Sequence, residues 1–267
     1  MAVAIGGVSG RASTSGFGMI VATILLVVML RIDANPAHRV RLRRLMPRGA
    51  LDPRAPVGTV TLVMALIGGC TMAAVYVPYV VIDVGKHAPI TGGCLSAVIP
   101  VSWTAAALAT ASVRSAWAHR FILSGPALVT LGLILTGWAL TTGSLALIAL
   151  ALAPIGAGIG AAWAYLGALL VDFAEAEERD VAAAFISTNN LLSQAFGAAF
   201  AGMIANVAGF GDPALGSDGV LRAVLWLFAA ISLFPAAALP LAVRVVRLST
   251  QIQTISDGCA GIRISRE

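Results

Sequence analysis

Charge is what this chain has least of. Asp, Glu, Lys and Arg together make up 11% of it, and none falls between Arg120 and Asp172 or within 12–30, 55–82, 88–113, 181–211 and 223–243. A soluble domain needs far more surface charge than this. Each uncharged tract can instead cross a bilayer, because a hydrocarbon core of about 30 Å takes about 20 helical residues at about 1.5 Å apiece. A single helix over 121–171 would run roughly 75 Å, and Thr141-Thr142-Gly143 offers a polar turn near its middle. That tract therefore crosses twice, and seven spans are expected.

Other absences narrow the chemistry. The three cysteines, Cys70, Cys94 and Cys259, and the three histidines, His38, His87 and His119, are scattered, so neither a disulfide framework nor a metal-ligand cluster is expected. No Ser-His-Asp set, H-E-x-x-H, C-x-x-C or phosphate-cradling loop stands in a suitable context. No catalytic residue, metal or cofactor is assigned. The tracts lack the period-two alternation of barrel strands and are rich in Ala, Leu and Gly, so they read as helices. No acid lies deep in a span either, Asp83 at the end of the second being nearest. It is followed directly by Gly85, Lys86 and His87 and reads as an interfacial loop residue.

What is present is hydrophobicity, with 59% apolar residues and a mean hydropathy of +0.93, together with arginine. Threading seven spans alternately puts Arg31 to Arg54, Arg114 to Arg120, Asp172 to Asp180 and the tail from Arg244 on one face. Basic residues in short loops stay in the cytoplasm, so that face is placed there and the protein in the inner (plasma) membrane. The cluster from Arg39 to Arg48 lies between two spans. It reads as cytoplasmic retention and contact with anionic lipid, and no nucleic-acid partner is assigned. Residues 17–30 also fit a signal-peptide core, but only Arg11 precedes them and the run ends directly at Arg31.

The Gly156, Gly158, Gly160 series follows a Pro and no strand, so it reads as small surface for helix packing and not as a dinucleotide fingerprint. Asn190 and Gln194 are four apart and share a helix face, which Gly197 and Ala201 continue. That stripe fits either helix packing or cavity lining, and Asn189, about 100° away, fits the role the stripe does not take.

Asn35-Pro36-Ala37 after a first span, the Arg-rich stretch and a long apolar span from Val57 resemble the central loop and second half of the major facilitator superfamily, especially its fourteen-span drug:proton antiporters. The Gly-rich run from Ala153 to Gly160 is similar to the start of a late span of that family. The run Glu177-Glu178-Arg179-Asp180, followed by Ala182, Asn190, Gln194 and Gly197, is similar to its acidic loop and following helix. At Arg114 to Ile122 the chain keeps the family's loop Arg but places His119 where Asp is usual.

The resemblance implies an all-α, polytopic transmembrane bundle of about seven spans, half of a major-facilitator-type fold. It divides the chain into a first span over 1–31, an Arg-rich cytoplasmic loop over 32–56, a six-span transporter half over 57–247 and a loose cytoplasmic tail over 248–267. Tyr76, Trp103, Trp163, Tyr165, Asn189, Asn190 and Gln194 are its candidate cavity residues, and Arg114, His119 and Arg120 its candidate gating residues. Interfacial anchoring is the competing role for the Tyr and Trp side chains.

The function implied is proton-coupled efflux of small amphipathic compounds by a truncated or half-length transporter. Its partners would be the lipid bilayer, the substrate, and a missing N-terminal half or second copy, since one half cannot enclose a path alone. Any titrating carboxylate would then lie in the other half. A non-transporting membrane scaffold is the alternative. A permease subunit of an ATP-driven transporter has less support, for no E-A-A-x-x-x-G coupling loop occurs.

Overall fold

The computed structural model describes Ile24 and residues 45–111, 113, 117–210 and 216–264, with side chains as far as 251. Apart from Ile24, the first span, the Arg-rich stretch as far as Arg44 and the loop residue Arg114 lie outside the described residues. Six long helices follow one another: α1 (Pro56–Val84), α2 (Pro89–Ala111), α3 (Ala118–Thr142), α4 (Leu145–Phe173), α5 (Arg179–Val207) and α6 (Gly216–Ile264). Five of them, α1 to α4 and α6, are long and apolar enough to cross a membrane. The sixth, α5, has 29 residues but carries the polar run Ser187-Thr188-Asn189-Asn190. The described chain is a helical transmembrane bundle.

Local chemistry sets the boundaries. Pro56 opens α1 at its first turn, where a missing N–H costs nothing. Between α3 and α4 the backbone turns at Gly143, whose φ of 69° suits a residue without Cβ, so the expected break within 121–171 falls where its sequence placed it. The π-helical last turn of α1, Val80–Val84, and its tightened 3-10 centre, Cys70–Val75, had no sequence signal beyond Pro78. A proline ring crowds the carbonyl four residues earlier, here Ala74 inside the tightened stretch. At the other end, α6 continues to Ile264, where a loose tail from 248 was expected.

The packing has an internal symmetry. Helix α4 packs on α3 and α2 as α1 packs on α6 and α5, and the remaining large contacts, α1 on α4 and α3 on α6, join equivalent helices. The pattern is thus preserved when each helix is exchanged for the one three later. Three is odd, so the two units run in opposite directions through the membrane, the arrangement of an inverted repeat. In contact order α2, α4, α1 and α5 form one layer, with α3 and α6 behind it.

Small residues draw this bundle together. A Cβ on Gly156 or Gly160 would run into the α2 backbone at Ile99 and Trp103, while one on Gly158 would lie 2.6 Å from Gly125 O on α3. The Gly series of α4 therefore serves two neighbours on two faces, which is the packing role expected of it. Gly69 and Gly197 bring α1 and α5 into backbone contact in the same way. Two apolar cores result, one around Val129, Ile155 and Phe228 and one around Met64, Phe185 and Val245, and Trp163 packs against both.

The loop ends on the arginine-rich side are tied to one another. Arg48 donates its backbone N–H to Glu178 at 2.7 Å and its guanidinium to Glu175 at 2.9 Å. Arg244 donates to the backbone carbonyls of Pro53 and Arg54 at 3.0 and 2.6 Å. These bonds join the segment before α1, the acidic α4–α5 loop and the end of α6.

Candidate substrate-cavity site

The layer α2, α4, α1 and α5 carries all seven candidate cavity side chains. Trp163 on α4 faces Trp103 on α2, with ring centroids 5.6 Å apart. The contact is possible because Gly156 and Gly160 let α2 lie against the α4 backbone. On α1, Gly68 leaves the space into which Trp163 and Asn190 project. A Cβ there would lie 3.5 Å from Asn190 Oδ1 and 3.7 Å from the Trp163 ring. Gln194 donates Nε2–H to Asn190 Oδ1 at 3.3 Å across one turn of α5. Trp163 and Asn190 therefore meet at Gly68, and Trp103 and Gln194 each contact one of them, which links four of the seven candidate cavity residues.

The other three lie elsewhere. Asn189 is buried against α1 and donates Nδ2–H to Thr61 O at 3.2 Å, while Ser193 bonds the Asn189 carbonyl. Gly197 and Ala201 are buried with this pair, so the small-residue stripe follows Asn189 and Ser193, and Asn190 and Gln194 are half-buried beside it. Tyr76 lies toward the other end of α1, its ring edge-on to Phe210 at 4.9 Å, and the same Phe210 packs on Tyr79. Tyr165 donates its hydroxyl to Thr110 O at 2.8 Å and stacks on Phe121, which pins the end of α2 against α3 and α4.

A cavity of about 280 Å³ opens between α1, α2 and α4, bordered by Thr71, Met72, Ser96, Ile99, Trp103 and Leu152. Thr71 and Met72 belong to the tightened centre of α1, and a 3-10 stretch inside a longer helix is a common mark of a hinge. The hydroxyls of Thr71 and Ser96 donate to carbonyls of their own helices, Gly68 at 2.7 Å and Gly92 at 2.9 Å, and keep lone pairs for a ligand. Sequence reasoning missed Thr71, Met72 and Ser96. Single hydroxyls within apolar tracts carry no signal of their own, and their place follows from the α1–α2 contact. The lining offers an aromatic face, a deformable thioether and a few hydrogen-bonding oxygens. It suits an amphipathic molecule.

The candidate gating residues sit at the arginine-rich end. His119 Nε2 lies 3.4 Å from Ser249 Oγ, joining the start of α3 to α6, and the Arg120 guanidinium stacks 4.2 Å from the Trp117 ring centroid. Where the resemblance would put an Asp, the chain thus has an imidazole that contacts a second helix.

Two curated proteins are similar to this chain. Both are named "Probable multidrug-efflux transporter", one from Mycobacterium tuberculosis strain CDC 1551 / Oshkosh and one from strain ATCC 25618 / H37Rv. Each is 35% identical over 165 residues, which is 60% of this chain and 35% of the relative. The chain thus spans about a third of the length of the curated relatives it matches. No family model matches the sequence, and no solved structure matches it.

Proposed function

We propose that the chain supplies one half of a major-facilitator-type transport path, through which small amphipathic compounds are exported in exchange for protons. The observation that carries this reading is the coincidence of an inverted three-helix repeat with a layer that holds the Trp103–Trp163 pair and the Asn190–Gln194 pair. In such a repeat the substrate site lies near the midplane between repeats or halves. Trp103, Trp163, Asn190 and Gln194, with Thr71 and Ser96 beside them, stand where a substrate would be held. The similarity to proteins named as multidrug-efflux transporters supports the outward direction and the drug-like substrate class of this reading.

A second layer, from an N-terminal half or a second copy, closes the path over this one. The described spans hold no deep carboxylate, so proton exchange is assigned to that second layer, and the Arg-rich face to the cytoplasm. The tightened centre of α1 is the hinge about which the face opens and closes.

The test is drug accumulation in cells carrying the chain together with its second layer. Trp103→Ala or Asn190→Leu is expected to raise intracellular substrate several-fold toward the level of cells lacking the protein, with unchanged membrane abundance. Unchanged export in both variants, with loss of binding to another membrane protein, would point instead to the scaffold reading.

A further inference from the structure

A second and larger cavity, of about 460 Å³, lies away from the aromatic layer, between α5 and α6 over the first half of α1. Helices α5 and α6 each pack on α1 but touch one another little, which leaves the groove open sideways to the bilayer. Its walls are apolar: Leu62 and Leu66 from α1, Leu192, Phe196 and Phe200 from α5, and Phe234 from α6.

Its length and its mouth indicate the occupant. Along α1 it runs from Gly58 to Gly69, about 17 Å at the helical rise, close to half the hydrocarbon thickness of about 30 Å. It therefore spans one leaflet. Its mouth is formed by Met46, Ala50, Leu51 and Pro53 at the arginine-rich end. The Arg244 guanidinium lies there, bonded to Pro53 O and Arg54 O, and two such bonds leave three of its five donors unused. Arg54 is exposed beside it. Three carboxylates of this end are already engaged: Asp52 Oδ1 accepts the Arg54 N–H at 2.9 Å, and Glu175 and Glu178 pair with Arg48.

We infer that this groove holds an anionic phospholipid of the leaflet at the arginine-rich end, with an acyl chain along Leu66, Phe196 and Phe200 and its phosphate at Arg54 and Arg244. An apolar slot one leaflet deep matches a single chain, and the basic mouth selects the headgroup. The site is separate from the substrate layer and is independent of whether the chain transports.

The experiment uses the full chain in mild detergent, titrated with phosphatidylglycerol or with phosphatidylcholine of the same acyl chains, and read by native mass spectrometry and thermal midpoint. One phosphatidylglycerol is expected to stay bound, preferred about thirtyfold over phosphatidylcholine, the factor that about two interacting arginines supply. The double variant Arg54→Gln with Arg244→Gln is expected to erase that preference while keeping the acyl chain. Leu66→Trp, or Leu192→Trp where the first does not fold, should expel lipids of both kinds. Equal retention of the two lipids by the unaltered protein would overturn the inference, as would a preference that survives the double variant. A crosslink between cysteines placed at Ile24 and Phe200 would also overturn it, by putting the chain's own first span in the groove.

Discussion

Helices α2 and α4 are both apolar enough to cross a membrane, yet the most apolar window of α4 is 56% buried within the bundle and that of α2 only 11%. They touch one another extensively. The difference lies in what else each meets: α4 sits among α1, α2, α3 and α5, whereas α2 meets α4 and the far end of α1. Hydropathy records whether a segment leaves water. It does not record whether protein, lipid or a second layer of helices takes the place of that water, because lipid tails are as apolar as leucine. Helix–helix contact in such a bundle depends on shape, and here the shape is set by glycine.

The largest expected effect follows from that. Gly160→Leu places a side chain where the Trp103 backbone already lies, and overpacking of this kind costs roughly 1–3 kcal/mol or more. A drop of many degrees in thermal midpoint, or loss of folded protein, is expected. Gly93→Ala on the exposed part of α2 meets nothing within 4 Å and is expected to leave the midpoint unchanged or raise it slightly, by up to about 1 kcal/mol of helix propensity. Equal effects of the two would break the comparison between the stitched helix and the open one.

Smaller effects sharpen it. Asn189→Leu removes the bond to Thr61 O inside the α1–α5 contact and should cost about 0.6–1.7 kcal/mol in detergent unfolding, the range for hydrogen bonds between membrane helices. Asn190→Leu, one residue on but half-buried on the layer face, should change stability less and export more. At the arginine-rich end, Arg48→Ala breaks the contacts to Glu175 and Glu178. With a side chain 55% exposed, Arg48 is expected to contribute only about 0.2–1 kcal/mol, and added salt should mask the difference.

Much of the bundle was legible in the sequence because charge and hydropathy act locally. The uncharged tracts gave the helices, and Thr141-Thr142-Gly143 gave the break between α3 and α4. The packing role of Gly156, Gly158 and Gly160 was legible too, from their small size, but not which neighbour each served, since that depends on helices far apart in sequence. The candidate site was legible only in part. Asn189 and Asn190 are adjacent and chemically identical, and only the direction of α1 makes one a packing residue and the other a face residue. Tyr165 reads like a cavity or interfacial tyrosine until the end of α2 arrives beside it. Thr71 and Met72 gained their place from a 3-10 stretch that arises where Pro78 crowds the preceding turn, and Ser96 from the α2 helix that lies against it.

The central claim is that the α2, α4, α1, α5 layer faces a path and that α3 and α6 face lipid. The direct measurement is labelling of single cysteines by a membrane-impermeant, water-soluble thiol reagent, in the assembled protein with Cys70, Cys94 and Cys259 replaced by serine or alanine. Cysteines at Thr71 and Ser96 are expected to react and to be protected by an exported compound, while those at Leu131 on α3 and Trp226 on α6, both exposed on the bundle, stay unlabelled. Labelling at Leu131 and Trp226 with none at Thr71 and Ser96 would contradict the account.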